Sequence, residues 1–262
     1  MDIYKVYAET NIGKIRENNE DNFYCDGIYK EDITLKNFQY EKEGYLESPL
    51  VIGVFDGMGG TQAGEQASYI AVKCLKAYVS WLNEKKQSFD GKYMLQRTNH
   101  YMCRVMKKIS KGMGSTAVLL NYESGRVRIT NLGDSRAYLF REKKLHQLSV
   151  DHTTESHMRE IQKSMGISKS IEESGMQHAL TQHLGIPEEE FLLEPAESEW
   201  IPVQKGDIFL LCSDGLTNMV KDDRIADILG ANTNLQTKKR RLIQEALDHG
   251  GKDNITVILL EV

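Results

Sequence analysis

Aspartate stands at the ends of apolar runs in this chain, and this arrangement restricts the folds that the sequence can adopt. Runs of about four to eight apolar or β-branched residues bounded by turn residues predict buried strands. Five aspartates lie at such predicted strand ends, three following a strand and two preceding one: Asp56, Asp134, Asp214, Asp21 and Asp253. In an antiparallel sandwich these strand ends can meet at one edge. We therefore expect the five side chains to form one carboxylate cluster.

Hydrophobic periodicity predicts eight strands and three long helices. The strands cover residues 3–8, 21–27, 50–55, 115–121, 126–132, 137–141, 207–212 and 255–260, and the helices cover 63–82, 93–110 and 235–248. Ser124-Gly125 and residues 141–144 predict hairpin turns, so consecutive strands between residues 115 and 148 are expected to run antiparallel. This excludes a doubly wound parallel sheet. It indicates an α+β sandwich in which sheets pack on each other and helices cover the outside.

Charge and cysteine content exclude several classes of function. The 33 Lys and Arg against 38 Asp and Glu give a net charge of -5, which argues against nucleic acid as a partner. The four cysteines form no CxxC pair, so neither a zinc site nor a disulfide framework is indicated and a reducing cytoplasm fits best. No apolar run approaches the ~18 residues of a membrane span. We expect a cytoplasmic monomer without a membrane partner.

The predicted cluster of carboxylates also predicts a metal. Like charges at one sheet edge repel each other, and protons alone could not neutralise that many carboxylates at pH 7, so such a cluster normally contains cations. Oxygen ligands without Cys or His favour the hard ions Mn²⁺ and Mg²⁺ over Zn²⁺ or Cu²⁺. An ordinary turn explains a single Asp-Gly pair equally well, so the prediction of a metal site rests on the five aspartates together.

Six short segments, taken in order, resemble the metal-dependent Ser/Thr protein phosphatases of the 2C type. They are residues 16–21 (RENNED), 56–60 (DGMGG), 114–116 (GST), 133–136 (GDSR), 213–215 (SDG) and 253–256 (DNIT). Each is weak alone, but six in this order are specific. The resemblance implies a four-layer αββα sandwich of two antiparallel sheets flanked by helices. It also implies that residues 1–262 form one catalytic domain.

The polar stretch at about residues 151–190 resembles the variable flap subdomain of this family. Thr153 or Thr154 is predicted to cap a helix that ends near Gly166. Residues 180–185 (LTQHLG) are close to the sequence with which the family leaves the flap. His152 stands beside the predicted helix start, where a histidine more often has a structural role.

The resemblance assigns roles to the carboxylates. Asp56 would bridge two metal ions, and Gly57 would contribute its backbone carbonyl. Asp214 and Asp253 would hold one ion, and Asp21 would orient a water on the other. The cofactors implied are therefore two Mn²⁺ or Mg²⁺ ions.

Further positions match the same family. Glu20 would assist at the second ion, and Asp134 together with Asp214 matches the position that binds a third, weaker ion. Arg16 matches the phosphate-binding arginine, whose planar fork of donors suits two phosphate oxygens. Met58 stands where animal and plant members carry a histidine, a candidate general acid, and bacterial members typically have Met there. The proton donor for the leaving alcohol is thus unassigned, and a water on the third ion is one hypothesis.

The sequence therefore predicts a bacterial-type enzyme that removes phosphate from phosphoserine and phosphothreonine on proteins. The resemblance implies attack by a hydroxide that bridges two metal ions. Phosphorylated proteins, a Ser/Thr kinase among them, are the expected partners. Two alternatives are an inactive phosphoprotein-binding module of the same fold and a phosphatase of small metabolites. The intact metal-ligand aspartates favour an enzyme over the inactive module.

Overall fold

Two antiparallel sheets lie face to face at the centre of the protein, and helices cover their outer faces. The computed structural model describes residues 3–45, 49–59, 63–165, 179–187, 189 and 192–262. The strands are β1 (Ile3–Asn11), β2 (Asn22–Cys25), β3 (Ile28–Tyr29), β4 (Asn37–Tyr45), β5 (Leu50–Phe55), β6 (Gly57–Met58), β7 (Gly114–Ser115), β8 (Ala117–Glu123), β9 (Arg126–Leu132), β10 (Arg136–Arg141), β11 (Lys144–Gln147), β12 (Ala196–Glu197), β13 (Ile201–Pro202), β14 (Ile208–Cys212) and β15 (Ile255–Glu261). The helices are α1 (Ala63–Lys85), α2 (Gly91–Ile109), α3 (Thr154–Ser164), α4 (Asp214–Thr217), α5 (Asp222–Gly230) and α6 (Leu235–Asp248).

Every pair of these strands is antiparallel, as the hairpin turns predict. The first sheet has the order β11-β10-β14-β15-β1-β4, and the second has the order β12-β9-β8-β5-β2-β3, with β13 also paired to β9. A separate short ladder joins β6 to β7, so that Gly57 lies opposite Ser115 and Met58 lies opposite Gly114. This ladder connects the chain just after β5 to the chain just before β8.

Side chains alternate between two cores along the central strands, because successive residues of a strand face opposite sides of the sheet. On β5, Ile52 and Val54 lie in the core between the sheets, whereas Val51 and Phe55 lie in the core beneath α1 and α2. On β15, Leu259 lies in a third core beneath α4, α5 and α6. Fully burying one such side chain contributes about 1.5–3 kcal/mol. The layers confirm the four-layer αββα sandwich.

Polar side chains set the starts of three helices by accepting a backbone N–H from the first turn. Asp90 caps α2 and Asn234 caps α6, at 2.9 and 2.8 Å. Thr153 caps α3 at 3.1 Å, which confirms the predicted start of that helix. The helix ends at Ser164, with Met165 as its C-cap, which agrees with the predicted end near Gly166. Residues 166–178, 188, 190 and 191 of the predicted flap lie outside the described residues.

The predicted helices and most predicted strands are confirmed, with three differences. The predicted strand 21–27 is a strand only over Asn22–Cys25, because Asp26 and Gly27 adopt positive φ and turn the chain into β3. β4 is absent from the prediction because it is a polar edge strand whose side chains are mostly exposed. The short helix α5, which begins with two aspartates, also has no predicted counterpart. Within the described ranges, no helix is long and apolar enough to cross a membrane.

Candidate functional site

Asp21 connects the amino-terminal segment to the ends of two distant strands. Its buried Oδ2 accepts hydrogen bonds from Ser213 Oγ at 2.7 Å and Thr256 Oγ1 at 2.6 Å. Ser213 follows β14 and Thr256 lies on β15, so three of the six sequence segments meet here. Burial raises the pKa of Asp21 to about 6, although both hydrogen bonds oppose the shift.

Asp56 is held by the segment 114–116, whose role the sequence leaves open. The Asp56 N–H donates to Thr116 Oγ1 at 3.1 Å, and the Thr116 N–H donates to the Asp56 carbonyl at 2.9 Å. The Thr116 hydroxyl also lies 2.7 Å from Ser135 Oγ. Because Ser135 follows Asp134, the small residues of these two segments fix the backbone of two aspartates relative to each other.

The five predicted aspartates share one electrostatic environment. Burial raises the pKa of Asp56 well above its ordinary value, and repulsion raises it further. The residues that repel it are Asp21, Asp214, Asp134 and Asp253. The structure thus brings together the carboxylates that the strand-end pattern predicts at one edge.

Asp214 carries the clearest sign of a missing positive partner. It begins α4, and its Oδ2 accepts a hydrogen bond from Asn218 Nδ2 at 2.9 Å. Its Oδ1 is buried and accepts no hydrogen bond from an N–H or hydroxyl group of the described residues. Burial, followed by repulsion from Asp253, raises the pKa of Asp214, and hydrogen bonds with the Asp56 carboxyl and with Asn218 oppose the shift. A buried carboxylate oxygen without a donor is costly unless it meets a cation.

The carboxylates do not form a closed cage. In the described ranges, no three His, Cys, Asp or Glu side chains are arranged to hold one metal ion by themselves. Mg²⁺ commonly keeps several waters and binds protein through one or two carboxylates. The all-oxygen donor set therefore fits partly hydrated divalent ions and does not fit a structural zinc site.

Asp134 lies on a turn that His152 holds in place. The Gly133 N–H donates to His152 Nδ1 at 3.1 Å, and the His152 N–H donates to the Gly133 carbonyl at 3.0 Å. Burial lowers the pKa of His152, so the ring tends to be neutral, which suits the structural role predicted for it. Burial, with repulsion from Asp214 next, raises the pKa of Asp134 to about 7.

Gly57 lies where two backbone segments approach closely. A Cβ at this position would lie 2.0 Å from the Gly64 carbonyl oxygen and 2.6 Å from the Glu20 carbonyl oxygen. The Glu20 carboxylate in turn packs on Gly64, where a Cβ would lie 2.4 Å from Glu20 Cδ. Burial, followed by repulsion from Glu65, raises the pKa of Glu20 to about 7. At position 57 only glycine fits between the two backbone segments, whereas a larger residue at position 64 would displace the Glu20 carboxylate.

Arg16 places a positive charge beside Asp253. Its Nη2 lies 2.7 Å from Asp253 Oδ2, and this hydrogen bond raises the pKa of the guanidinium. About half of the Arg16 side chain is exposed. The predicted phosphate-binding arginine is thus at the edge of the carboxylate cluster.

Two residues of the site were not predicted from sequence. Asn254 joins the amino-terminal segment to β15: its Nδ2 donates to the carbonyls of Ile12 and Asn18, and its Oδ1 accepts from the Glu20 N–H. Because Asn254 belongs to the motif at residues 253–256, the sequence contained a signal that could have identified it. Lys30 is buried and donates to the Asn19 carbonyl at 2.6 Å, and burial lowers its pKa to about 8. Nothing in its sequence surroundings predicts that burial.

Comparison with known proteins identifies a protein family that the chain matches. The family Protein phosphatase 2C matches residues 19–162 of the chain. The chain is 34% identical to the serine/threonine phosphatase stp of Listeria welshimeri, over 98% of this chain and 96% of that protein. It is 31% identical to the protein phosphatase PhpP of Streptococcus pneumoniae, over 97% of this chain and 95% of that protein.

Solved structures show the same architecture. The S. agalactiae serine/threonine phosphatase superposes with a TM-score of 0.77 at 25% identity, over 99% of both chains. The catalytic domain of the serine/threonine protein phosphatase PstP, in complex with two manganese ions, superposes with a TM-score of 0.72 at 27% identity, also over 99% of both chains.

Proposed function

The chain belongs to the protein phosphatase 2C family and is a serine/threonine protein phosphatase, and on this basis we propose that the edge formed by its five aspartates is the catalytic site. The observation that carries this assignment is the buried Asp214 Oδ1, which has no N–H or hydroxyl donor among the described residues. The carboxylates of Asp56 and Asp253 lie in the same environment. A divalent cation is the partner that such a set requires.

Two ions, Mn²⁺ or Mg²⁺, suit these oxygen ligands. Asp56 and the Gly57 carbonyl would help to hold both ions. Asp214 and Asp253 would hold one of them, and Asp21 would orient a water on the other. The similar PstP structure with its two manganese ions supports this number and makes Mn²⁺ the first ion to test.

A third, more weakly held ion is assigned to Asp134 together with Asp214. Burial and repulsion from Asp214 raise the pKa of Asp134 to about 7, and a bound cation would offset that repulsion. Glu20 is assigned to the neighbourhood of Asp21. Its pKa, also about 7, lets it hold or release a proton near neutral pH.

When bound, the two ions neutralise phosphate charge and supply a water-derived nucleophile near neutral pH. The chain holds the metal-binding groups in fixed positions. Ser213 and Thr256 fix the Asp21 carboxylate through two short hydrogen bonds. Thr116 fixes the backbone of Asp56 on both sides. Because these groups are already in place, binding of ions and substrate requires little reordering of the site.

Arg16 binds the phosphoryl group of the substrate. Only its Nη2 is hydrogen-bonded to Asp253, which leaves the other guanidinium donors for phosphate oxygens. Its charge does not titrate, so it offsets the phosphate at every physiological pH.

The inactive phosphoprotein-binding module and the phosphatase of small metabolites are the two alternatives to this function. An inactive binding module has no chemical reason to keep the Asp214 Oδ1 buried without an N–H or hydroxyl donor among the described residues, at a cost in stability. A phosphatase of small metabolites needs the same ions. The similarity to the protein phosphatases stp and PhpP, over nearly the whole of each chain, supports a protein substrate.

Partners, domain boundaries and location complete the proposal. Phosphorylated proteins are the substrates, a Ser/Thr kinase among them, and the enzyme acts as a monomer. Residues 1–262 form one catalytic domain with a flap at about 151–190, which the end-to-end superposition on the S. agalactiae phosphatase supports. A cytoplasmic location is supported by the four cysteines, all of which are free thiols.

A substrate comparison tests this function. The purified protein is assayed with Mn²⁺ and with a chelator on a phosphothreonine peptide, a phosphoserine peptide, a sugar phosphate and a nucleoside monophosphate. We expect Mn²⁺-dependent release, with kcat/KM on the peptides exceeding that on the metabolites by about 10²-fold or more. A preference for a metabolite would establish the small-molecule alternative. Absence of release from every substrate would support the inactive module.

A further inference from the structure

His183 lies beside Met58, the residue that replaces a candidate proton donor. Both side chains pack over Gly114. A Cβ at Gly114 would lie 2.9 Å from His183 Nδ1 and 3.1 Å from Met58 Cγ, so these two atoms are at most about 6 Å apart. Met58 directly follows Gly57, whose carbonyl is assigned to the metal ions. The imidazole of His183 therefore lies next to Met58, the position at which animal and plant members of the family carry a histidine.

Hydrogen bonds to β7 and α2 fix the segment that contains His183. Leu184 forms a bridge with Ser115 of β7, with N–O distances of 3.1 and 2.8 Å in the two directions. The Gly185 N–H donates to Asn99 Oδ1 at 2.7 Å, which fixes the same segment to α2. Leu184 is fully buried. Because β7 pairs with β6, the backbone of His183 has a defined position relative to Met58.

The hydrogen bond of His183 leaves one ring nitrogen for chemistry. Its Nδ1 lies 2.8 Å from the Leu184 carbonyl oxygen, an acceptor, so Nδ1 carries a proton. This bond persists when the ring is cationic, since both nitrogens then donate. Nε2 has no hydrogen-bond partner within the part of the chain that the structure describes. This nitrogen is therefore the one that can take part in proton transfer.

His152, the histidine beside Asp134, does not have these properties. Its Nδ1 accepts from the Gly133 N–H, and protonation of Nδ1 would break that bond. Burial also lowers its pKa, which opposes the cationic form. His152 is thus suited to hold the turn at Gly133, whereas His183 keeps its hydrogen bond when both ring nitrogens carry a proton.

The reaction needs such an acid for its natural substrates. A serine or threonine alkoxide is a poor leaving group, and a positioned acid typically contributes about 10² to 10⁴ in rate. Nitrophenolate leaves with little help. Met58 has no proton to give.

We propose that His183 is the general acid that protonates the leaving serine or threonine oxygen, a role that rests on the phosphatase function proposed above. The water-derived nucleophile forms a bond to phosphorus while the bond from phosphorus to the threonine Oγ breaks, and the electron pair of that bond goes to Oγ. The proton on Nε2 of the His183 imidazolium moves to Oγ. The products are inorganic phosphate, the threonine hydroxyl and a neutral imidazole, which takes a proton from solvent before the next turnover.

His183→Asn is the variant that isolates this role. The Asn amide can replace the Nδ1–H donor to the Leu184 carbonyl, but it has no group at Nε2 and cannot act as an acid. His157→Asn, at an exposed position of α3, is the matched control. Each protein is assayed with Mn²⁺ on a phosphothreonine peptide and on para-nitrophenyl phosphate. Comparing the two substrates within one preparation cancels any loss of folded enzyme.

For His183→Asn we expect kcat on the peptide to fall by about 10² or more, with the rate on para-nitrophenyl phosphate within about threefold of wild type. The control should keep both rates. Equal slowing on both substrates, or an unchanged peptide rate, would overturn the acid role while leaving the phosphatase function intact. If wild type released phosphate from neither substrate, the proposed function would fail and the His183 role with it.

Asp134→Asn distinguishes the third-ion hypothesis in the same assay. If a water on a third ion supplied the proton, Asp134→Asn would slow the peptide selectively and His183→Asn would not. We expect the reverse: selective slowing of the peptide in His183→Asn only. The opposite pattern would assign the proton to the third ion and contradict the role of His183.

Discussion

The guanidinium of Arg16 lies 2.7 Å from the carboxylate of Asp253, a residue 237 positions away in the sequence. This ion pair joins the amino-terminal segment to the start of β15 at the edge of the carboxylate cluster. Asp253 therefore has two functions in the proposed site: one oxygen orients the arginine, and the carboxylate as a whole contributes to a metal ion. The arginine is held at the rim of the site before a phosphoryl group arrives.

Arg16→Ala is expected to lower kcat/KM on a phosphothreonine peptide by about 10- to 100-fold, mainly through KM. The reason is the loss of charge-assisted hydrogen bonds to phosphate, each worth about 1.5–3 kcal/mol. Arg16→Lys keeps the positive charge but loses the planar set of donors, so its kcat/KM should lie between those of wild type and Arg16→Ala. Steady-state kinetics of the three proteins give the answer. An unchanged kcat/KM in the alanine variant would remove Arg16 from phosphate binding.

Asp56→Asn is expected to abolish turnover while the protein still folds. The pKa of Asp56 is raised by burial and by repulsion from its neighbours, so a neutral amide of the same shape relieves repulsion without opening a cavity. Thermal unfolding in chelator at pH 8 should show a midpoint at or above that of wild type. A clearly lower midpoint would mean that the Asp56 carboxylate supports the fold directly.

The pKa of Asp134, raised from 3.8 to about 7, predicts how stability changes with pH when ions are removed by a chelator. The folded protein binds this proton more tightly than the unfolded chain does. The stability that it contributes is therefore complete below pH ~4 and is lost as pH rises through ~7. Urea unfolding of wild type and Asp134→Asn over this range isolates the effect. The variant should gain stability relative to wild type as pH rises, and a difference independent of pH would contradict the shift.

Gly57→Ala is expected to destabilise the protein by about 1–3 kcal/mol or more, because the added methyl would meet the backbone oxygens of Gly64 and Glu20 at 2.0 and 2.6 Å. Gly112→Ala is the matched control, since a Cβ there has no atom within 4 Å. The control should stay within about 0.5 kcal/mol of wild type. Denaturant unfolding compares the two. Equal stability of both variants would mean that the backbone at Gly57 is not confined as described.

The parts of the site that follow from local sequence could be predicted. Asp56 and Asp214 follow buried apolar strands, and the position of a strand end is a local property of the chain. Thr116 was recognised within a motif, but its hydrogen bonds to Asp56 and Ser135 depend on how two strands pair. Strand ends could therefore be placed from sequence, and the contacts between them could not.

Long-range contacts account for what the sequence did not reveal. His183 belongs to a segment recognised as a flap exit, yet its place beside Met58 depends on the bridge between Leu184 and Ser115. The burial of Lys30 likewise depends on the hairpin of β2 and β3, and the predicted strand 21–27 did not include β3. Neither contact has a signature within its own stretch of sequence.

The most direct test of the metal centre is a Mn²⁺ titration of wild type and Asp214→Asn, with bound ion and phosphate release from a phosphothreonine peptide measured on the same samples. The buried Oδ1 of Asp214, which has no N–H or hydroxyl donor among the described residues, predicts that wild type binds Mn²⁺ and that activity rises with binding. The proposed site predicts two such ions, the number present in the similar PstP structure. Asp214→Asn should remain folded, lose tight binding of at least one ion, and lose activity in parallel. Full activity of wild type without bound metal, or two tightly bound ions and full activity in Asp214→Asn, would contradict a metal-dependent phosphatase built on these carboxylates.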